Sequence, residues 1–104
     1  KGGVIAIQDI SVGSSSASVV EPRSVFAPAI LHNAASIIVA HNHPSGVSTP
    51  SEDDINTTRR LVEAGKILNI PVLDHIIIGI DTELKSSTSI RSLPEYKLIW
   101  KGII

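Results

Sequence analysis

The chain reads as one mixed α/β domain, and three observations predict it. Apolar runs of strand length alternate with helical periodicity, in the order strand, helix, strand, helix, strand, strand. Hydrophobic residues make up 42% and charged residues 18%, the balance of a folded globular protein. The 104 residues suffice for one core and show neither internal repeat nor linker.

The elements follow in chain order. Val4 to Ile10 alternates partly and predicts a strand. SVGSSSAS, from Ser11, is a Ser/Gly-rich loop inside the domain. EPRSVFAPAILHNA predicts a helix with Pro22 at its first position, kinked or shortened by Pro28. SIIVA (Ser36 to Ala40) predicts a strand buried on both faces. PSEDDINTTRRLVEAGKIL carries the clearest helical stripe: Ile55, Thr58, Val62 and Gly65, flanked by Leu61 and Leu68. Thr49 with Glu52, or Ser51 with Asp54, can form its capping box, and Asn69 suits a left-handed stop. PVLDHIIIGI predicts a second buried strand. Asp81 to Pro94 is polar and gives no clear element, and EYKLIW predicts a last strand. Phe26, Tyr96 and Trp100 are the three aromatics, so the core must rest on Ile, Val, Leu and Ala.

Composition narrows the function classes. The formal net charge is −1, and only Arg59 and Arg60 are adjacent basic residues. A phosphate-backbone binder carries a basic stripe, so direct nucleic-acid binding is disfavoured. No cysteine is present, which excludes disulfides and thiolate metal sites and fits a reducing cytoplasm. The apolar runs are too short to span a bilayer, and residues 1–20 lack a secretory pattern. The chain has no methionine and starts at Lys1, so a fragment or a processed chain is expected. Assembly into a homo-oligomer is left open.

The chemistry concentrates in AHNHPSGVSTPSEDD, Ala40 to Asp54. In extended backbone His41 and His43 face the same side, so two imidazoles can converge. Pro44 ends the ladder and Gly46 permits a sharp turn. Asp54 falls in the first turn of the next helix, where free N–H groups favour a carboxylate. Packing of that helix on the sheet returns Asp54 to the strand end. Two imidazoles and one carboxylate form a three-ligand set of the catalytic zinc type, with a fourth position left for water. Ser51, one turn before Asp54, can donate its hydroxyl to a developing oxyanion. A His-x-His pair alone is weak, and Ser, Glu and Asp at a helix start are commonly caps. The combination in strand–loop–helix context is far more specific.

HNHP, six residues, Ser51, two residues, Asp54 resembles the metal motif of the JAMM (MPN+) metalloproteases. HNHPSG, TPSEDD and TRRLVEAGKILNIPVLDHIIIG resemble the bacterial RadC family, long labelled as DNA-repair proteins. The likeness runs from about Val12 to Gly79. It implies a three-layer α/β/α sandwich of the cytidine-deaminase-like JAMM/MPN type over residues 1–104, lacking its first strand. It implies Zn2+ held by His41, His43 and Asp54, with Ser51 assisting. It implies a hydrolase that cleaves a peptide or isopeptide bond with zinc-activated water. The alternatives are a non-catalytic MPN-type interaction domain and a DNA-repair accessory. RadC-like proteins also carry a helix-hairpin-helix-like region upstream.

Two departures stand out. The family often reads Pro-Arg-Glu where this chain has Pro22-Arg23-Ser24. JAMM enzymes also use an upstream strand-borne glutamate as general base. Glu21, Glu52, Glu63, Glu83 and Glu95 are all poorly placed for that role, so the base is expected before Lys1. Elsewhere, His75 reads as a hydrogen-bonded core histidine rather than a support of the site. His32 suits a helix C-terminus, Asn42 points away from its neighbours, and Arg23, Arg59 and Arg60 read as solvated helix faces.

Overall fold

A computed structural model describes residues 20–103. The predicted strand Val4 to Ile10 and the loop from Ser11 lie outside the described residues. Two α-helices, three strands and a 3-10 helix follow in order: α1 (Pro22–Leu31), β1 (Ile37–His43), α2 (Glu52–Leu68), β2 (Val72–Ile80), β3 (Lys85–Ser89) and the 3-10 turn helix Pro94–Trp100. Among the described residues the sheet has the order β1-β2-β3. β1 and β2 run parallel, and β2 and β3 antiparallel. A mixed sheet with helices is the α/β architecture that the sequence predicts.

Both helices start and stop by local chemistry. Pro22 opens α1, where its missing N–H is no loss. Pro28 is carried inside α1, and the helix closes one residue before His32. Asn33 takes φ +54°, and Ala34 N–H reaches back to Ala29 O at 2.9 Å. Asn69 repeats the device at φ +57°, with Ile70 N–H donating to Gly65 O at 2.9 Å. These are left-handed stops that satisfy the last free carbonyls. Of the two capping boxes that the sequence allows, Ser51 with Asp54 forms.

β1 differs from expectation. The sequence predicts a strand buried on both faces, whereas Ile37, Val39, His41 and His43 are half-buried and Ile38, Ala40 and Asn42 are exposed. Ile38 keeps 59% of its surface. An apolar run alone does not reveal that only one face meets α2. β1 also extends through both histidines, so their shared face comes from regular strand geometry.

The C-terminal part needs two corrections. The unreadable polar stretch contains β3, KSSTS, joined to β2 by a tight hairpin. Asp81 holds that turn: its Oδ1 accepts from the N–H groups of Glu83 and Leu84, both at 2.7 Å. Those two bonds, Leu84's first, hold its carboxyl below the ordinary value. The run EYKLIW is not a strand. It lies in the 3-10 helix Pro94–Trp100, which Pro94 initiates. Ile99 and Trp100 enter the core, and the indole N–H donates to Val72 O at 2.8 Å. Burial of one side of a turn outweighs the β-propensity of the run. Glu95 lies exposed on this turn.

The core gathers Val25, Phe26, Ile55, Leu61, Val62, Val72, Ile77, Ile90 and Trp100 from every layer. Two glycines set the close approach beside the histidines. A Cβ on Gly79 would sit 2.5 Å from Gly46 C and O. Gly46 itself has φ +84°. Ser86 Oγ donates to Gly46 O at 2.9 Å, clamping the loop after β1 to the β2–β3 hairpin. Gly79→Ala is expected to lower stability by about 1–3 kcal/mol, the range for overpacking against unyielding backbone. Urea unfolding of the variant beside wild type checks this.

Candidate metal centre

The parallel pairing of β1 with β2 sets His41 opposite Ile77 and His43 opposite Gly79. Both rings stand on the face that α2 covers. Their centroids are 5.1 Å apart with planes at 89°. Asp54 arrives from the first turn of α2 and is only 4% exposed. His43 Nε2 lies 2.9 Å from Asp54 Oδ2, and His41 Nδ1 lies 3.9 Å from Asp54 Oδ1. One ligand atom from each of the three residues falls within 4.8 Å of the others, so the structure brings the predicted trio together.

Each side chain is held by a second contact. His43 Nδ1 lies 3.0 Å from Val47 O, an acceptor only, so Nδ1 carries the hydrogen there. Nε2 thereby becomes the nitrogen that faces Asp54. Asp54 Oδ2 accepts from the Ser51 backbone N–H at 2.8 Å, while Asp54 N–H donates to Ser51 Oγ at 3.1 Å. Burial raises the Asp54 carboxyl. The Ser51 backbone N–H, the Ser51 side chain and then the His41 and His43 imidazoles outweigh it, leaving Asp54 below the ordinary value.

The donor set suits a small divalent cation. Two imidazoles and a carboxylate are nitrogen and oxygen donors of the kind that zinc accepts. Nε2 of His43 faces a carboxylate oxygen at hydrogen-bond distance, an arrangement that needs a shared proton or a cation in its place. Glu52, Glu63, Glu83 and Glu95 are exposed, as is Glu21, whose Oε1 lies 3.7 Å from Arg60 Nη2. None of these five glutamates joins the cluster.

Several contributors escaped sequence reading. The Val47 carbonyl leaves no trace in residue type. Thr58 does leave one: it is a polar residue on the apolar stripe of α2, and it is fully buried. Its hydroxyl donates to Asp54 O at 2.7 Å and lies 2.6 Å from His75 Nδ1. His75 is 2% exposed, and its ring centroid is 6.4 Å from that of His41. It is the hydrogen-bonded core histidine that the sequence suggests, and that hydrogen bond leads to the site. Asn42 is exposed and points away, as expected. His32 caps the end of α1.

Comparison with known proteins agrees with this geometry. The sequence profile of the RadC-like JAB domain matches residues 1–93. A UPF0758 protein of Syntrophomonas wolfei is 60% identical over 79 residues, 76% of this chain and 34% of that protein. A UPF0758 protein of Alkaliphilus oremlandii is 61% identical over 79 residues, with the same shares. One from Desulforamulus reducens is 56% identical over 88 residues, 83% of this chain and 39% of that protein. The chain thus spans about a third of the length of the curated relatives it matches.

Burial pushes the His75 imidazole down from 6.5 to about 4, against a smaller opposing pull from the Asp54 charge. Below pH 6.5 the unfolded chain takes up a proton that the folded chain refuses. Stability is therefore expected to fall as the pH drops from 6.5 toward 4, by up to ~3 kcal/mol from this group. Denaturant melts in chelator across that window check it, with His75→Gln losing that share of the slope.

Proposed function

The chain belongs to the RadC-like JAB domain family, and from that premise we propose that it is a zinc-dependent hydrolase of peptide or isopeptide bonds. One observation carries the reading: His41, His43 and Asp54 converge within 4.8 Å at the mouth of a parallel strand pair. Zinc bound there supplies a Lewis acid that polarises a carbonyl and acidifies water. The chain's own residues prepare that chemistry. Val47 O fixes the tautomer of His43. Ser51 N–H and the start of α2 hold Asp54 ionised and aimed at both rings. Asp54 contributes one negative charge against a divalent cation, leaving the loaded site net positive.

Ser51 has a second role in this reading. Its oxygen accepts the Asp54 N–H, so its hydrogen remains for another acceptor. That hydrogen is placed to go to the oxyanion that would develop as an amide carbonyl is attacked. In this reading the proton from water goes to a glutamate upstream of Lys1: residues 1–19 hold none, and none of the described glutamates joins the trio. The absence of cysteine supports a reducing, cytoplasmic setting. No helix among the described residues is long and apolar enough to cross a membrane.

Elemental analysis is the direct test: one zinc per chain is expected, and loss of that zinc in His41→Ala. A wild type that stays metal-free after zinc is supplied removes the hydrolase reading. For Ser51, two effects separate. Ser51→Ala is expected to cost about 1 kcal/mol as a lost cap and to lower kcat on an isopeptide substrate by roughly 10²-fold as a lost oxyanion donor. Ser51→Asp keeps a capping oxygen without the hydroxyl, so it should restore stability and not kcat.

A further inference from the structure

His75 presents an anomaly that the ligand set does not use. Thr58 has one hydroxyl hydrogen, and it goes to Asp54 O. Thr58 must then accept at its other contact, so His75 carries its hydrogen on Nδ1. Nε2 is left as a bare lone pair. It is buried and has no hydrogen-bond partner among the described residues. An unsatisfied buried acceptor destabilises a fold, and an apolar side chain would fill the same space without that penalty. The lone pair calls for a donor.

The fold indicates where that donor lies. His75 pairs with Val39, and His41 is two residues further along β1, so both histidines share the α2-covered face. With Nδ1 turned to Thr58 on α2, Nε2 lies on the far side of the ring from that helix. The His41 and His75 centroids are 6.4 Å apart with planes at 59°. A direct N–H···N bond between two imidazoles would bring the centroids to about 5 Å. The buried Nε2 leaves no room for a water between the rings, so the bond is direct and needs the half-buried His41 ring to close by about 1–1.5 Å.

We propose that His75 is a positioning residue for His41: its Nε2 is the acceptor for the hydrogen on the His41 ring nitrogen that does not face the metal. This rests on the metal reading above. A ligating imidazole needs a partner for its outer N–H, because that bond selects the tautomer and orients the lone pair. His43 has such a partner in Val47 O. His75 supplies the equivalent for His41.

The test compares zinc affinity, by chelator competition on the full chain, for wild type, His75→Asn and His75→Gln. The Asn amide can replace the Nδ1 donor to Thr58 but not the Nε2 acceptor, and Gln does the reverse. His75→Asn is expected to bind zinc about 10–100-fold more weakly, the usual cost of losing a ligand's hydrogen-bond partner, while His75→Gln stays within about threefold of wild type. Nitrogen NMR of the wild-type zinc form should show His41 in one tautomer with a slowly exchanging N–H. Unchanged affinity in His75→Asn overturns the proposal. So does a fast-exchanging or mixed-tautomer His41 in wild type, which decides the matter even where His75→Asn fails to fold. A wild type that binds no zinc overturns the metal reading and this inference together. Zinc binding indifferent to His75 overturns this inference alone.

Discussion

Asp54 Oδ2 is the atom on which the rest depends. It accepts the Ser51 N–H at the start of α2 and faces His43 Nε2 at the end of β1. A helix cap and a candidate metal ligand are thus one carboxylate. The coupling has a physical logic. A carboxylate 4% exposed would ordinarily be driven toward its neutral form. Here the free N–H groups of a 17-residue helix and two imidazoles favour its charge. The same bonds that keep it ionised fix its orientation, so a ligand is pre-organised where burial alone would have disarmed it.

That carboxylate reaches the histidines only because the sheet and loop leave no slack. The parallel pairing sets His43 beside Gly79, and Gly79 lets the Gly46 backbone press against β2. Only eight residues lie between His43 and the first position of α2 at Glu52. Gly46 turns sharply, Ser86 pins its carbonyl, and Ser48 joins Thr88 across the hairpin at 2.7 Å. The β2–β3 hairpin has no ligand of its own, yet it braces the segment between the ligands. Polar KSSTS makes sense in that position: Ser86 and Thr88 bond to the loop and have no apolar core to fill.

The site was far more legible in the sequence than parts of the fold. The candidate metal trio and its shared strand face follow from spacing and residue type, because extended and helical periodicities are fixed by backbone geometry; spacing allows two capping boxes, and the structure forms Ser51 with Asp54. Asn69 as a left-handed stop follows for the same reason. What escaped depends on tertiary partners. A serine-rich strand has no apolar alternation, so β3 is silent until its neighbours are known. EYKLIW has strand-like composition, but Pro94 and the burial of Ile99 and Trp100 decide for a tight turn helix. SIIVA reads as doubly buried because an apolar run does not say which face has company. The carbonyl of Val47 belongs to no residue type and is beyond any sequence reading.

His75 marks the boundary between these classes. A histidine inside an apolar strand reads first as a hydrogen-bonded core residue, and the structure shows that hydrogen bond. It adds a stoichiometry that residue type does not carry. One hydroxyl hydrogen on Thr58 cannot serve both of its partners, so the donor and acceptor roles along Asp54, Thr58 and His75 are forced in sequence. The chain of constraint ends on a lone pair, not on a satisfied bond. A core built for packing alone would close that chain or use a hydrocarbon. Through Thr58, His75 ties β2 to the helix that bears Asp54, so among the described strands β2 belongs both to the core and to the surroundings of the candidate metal centre.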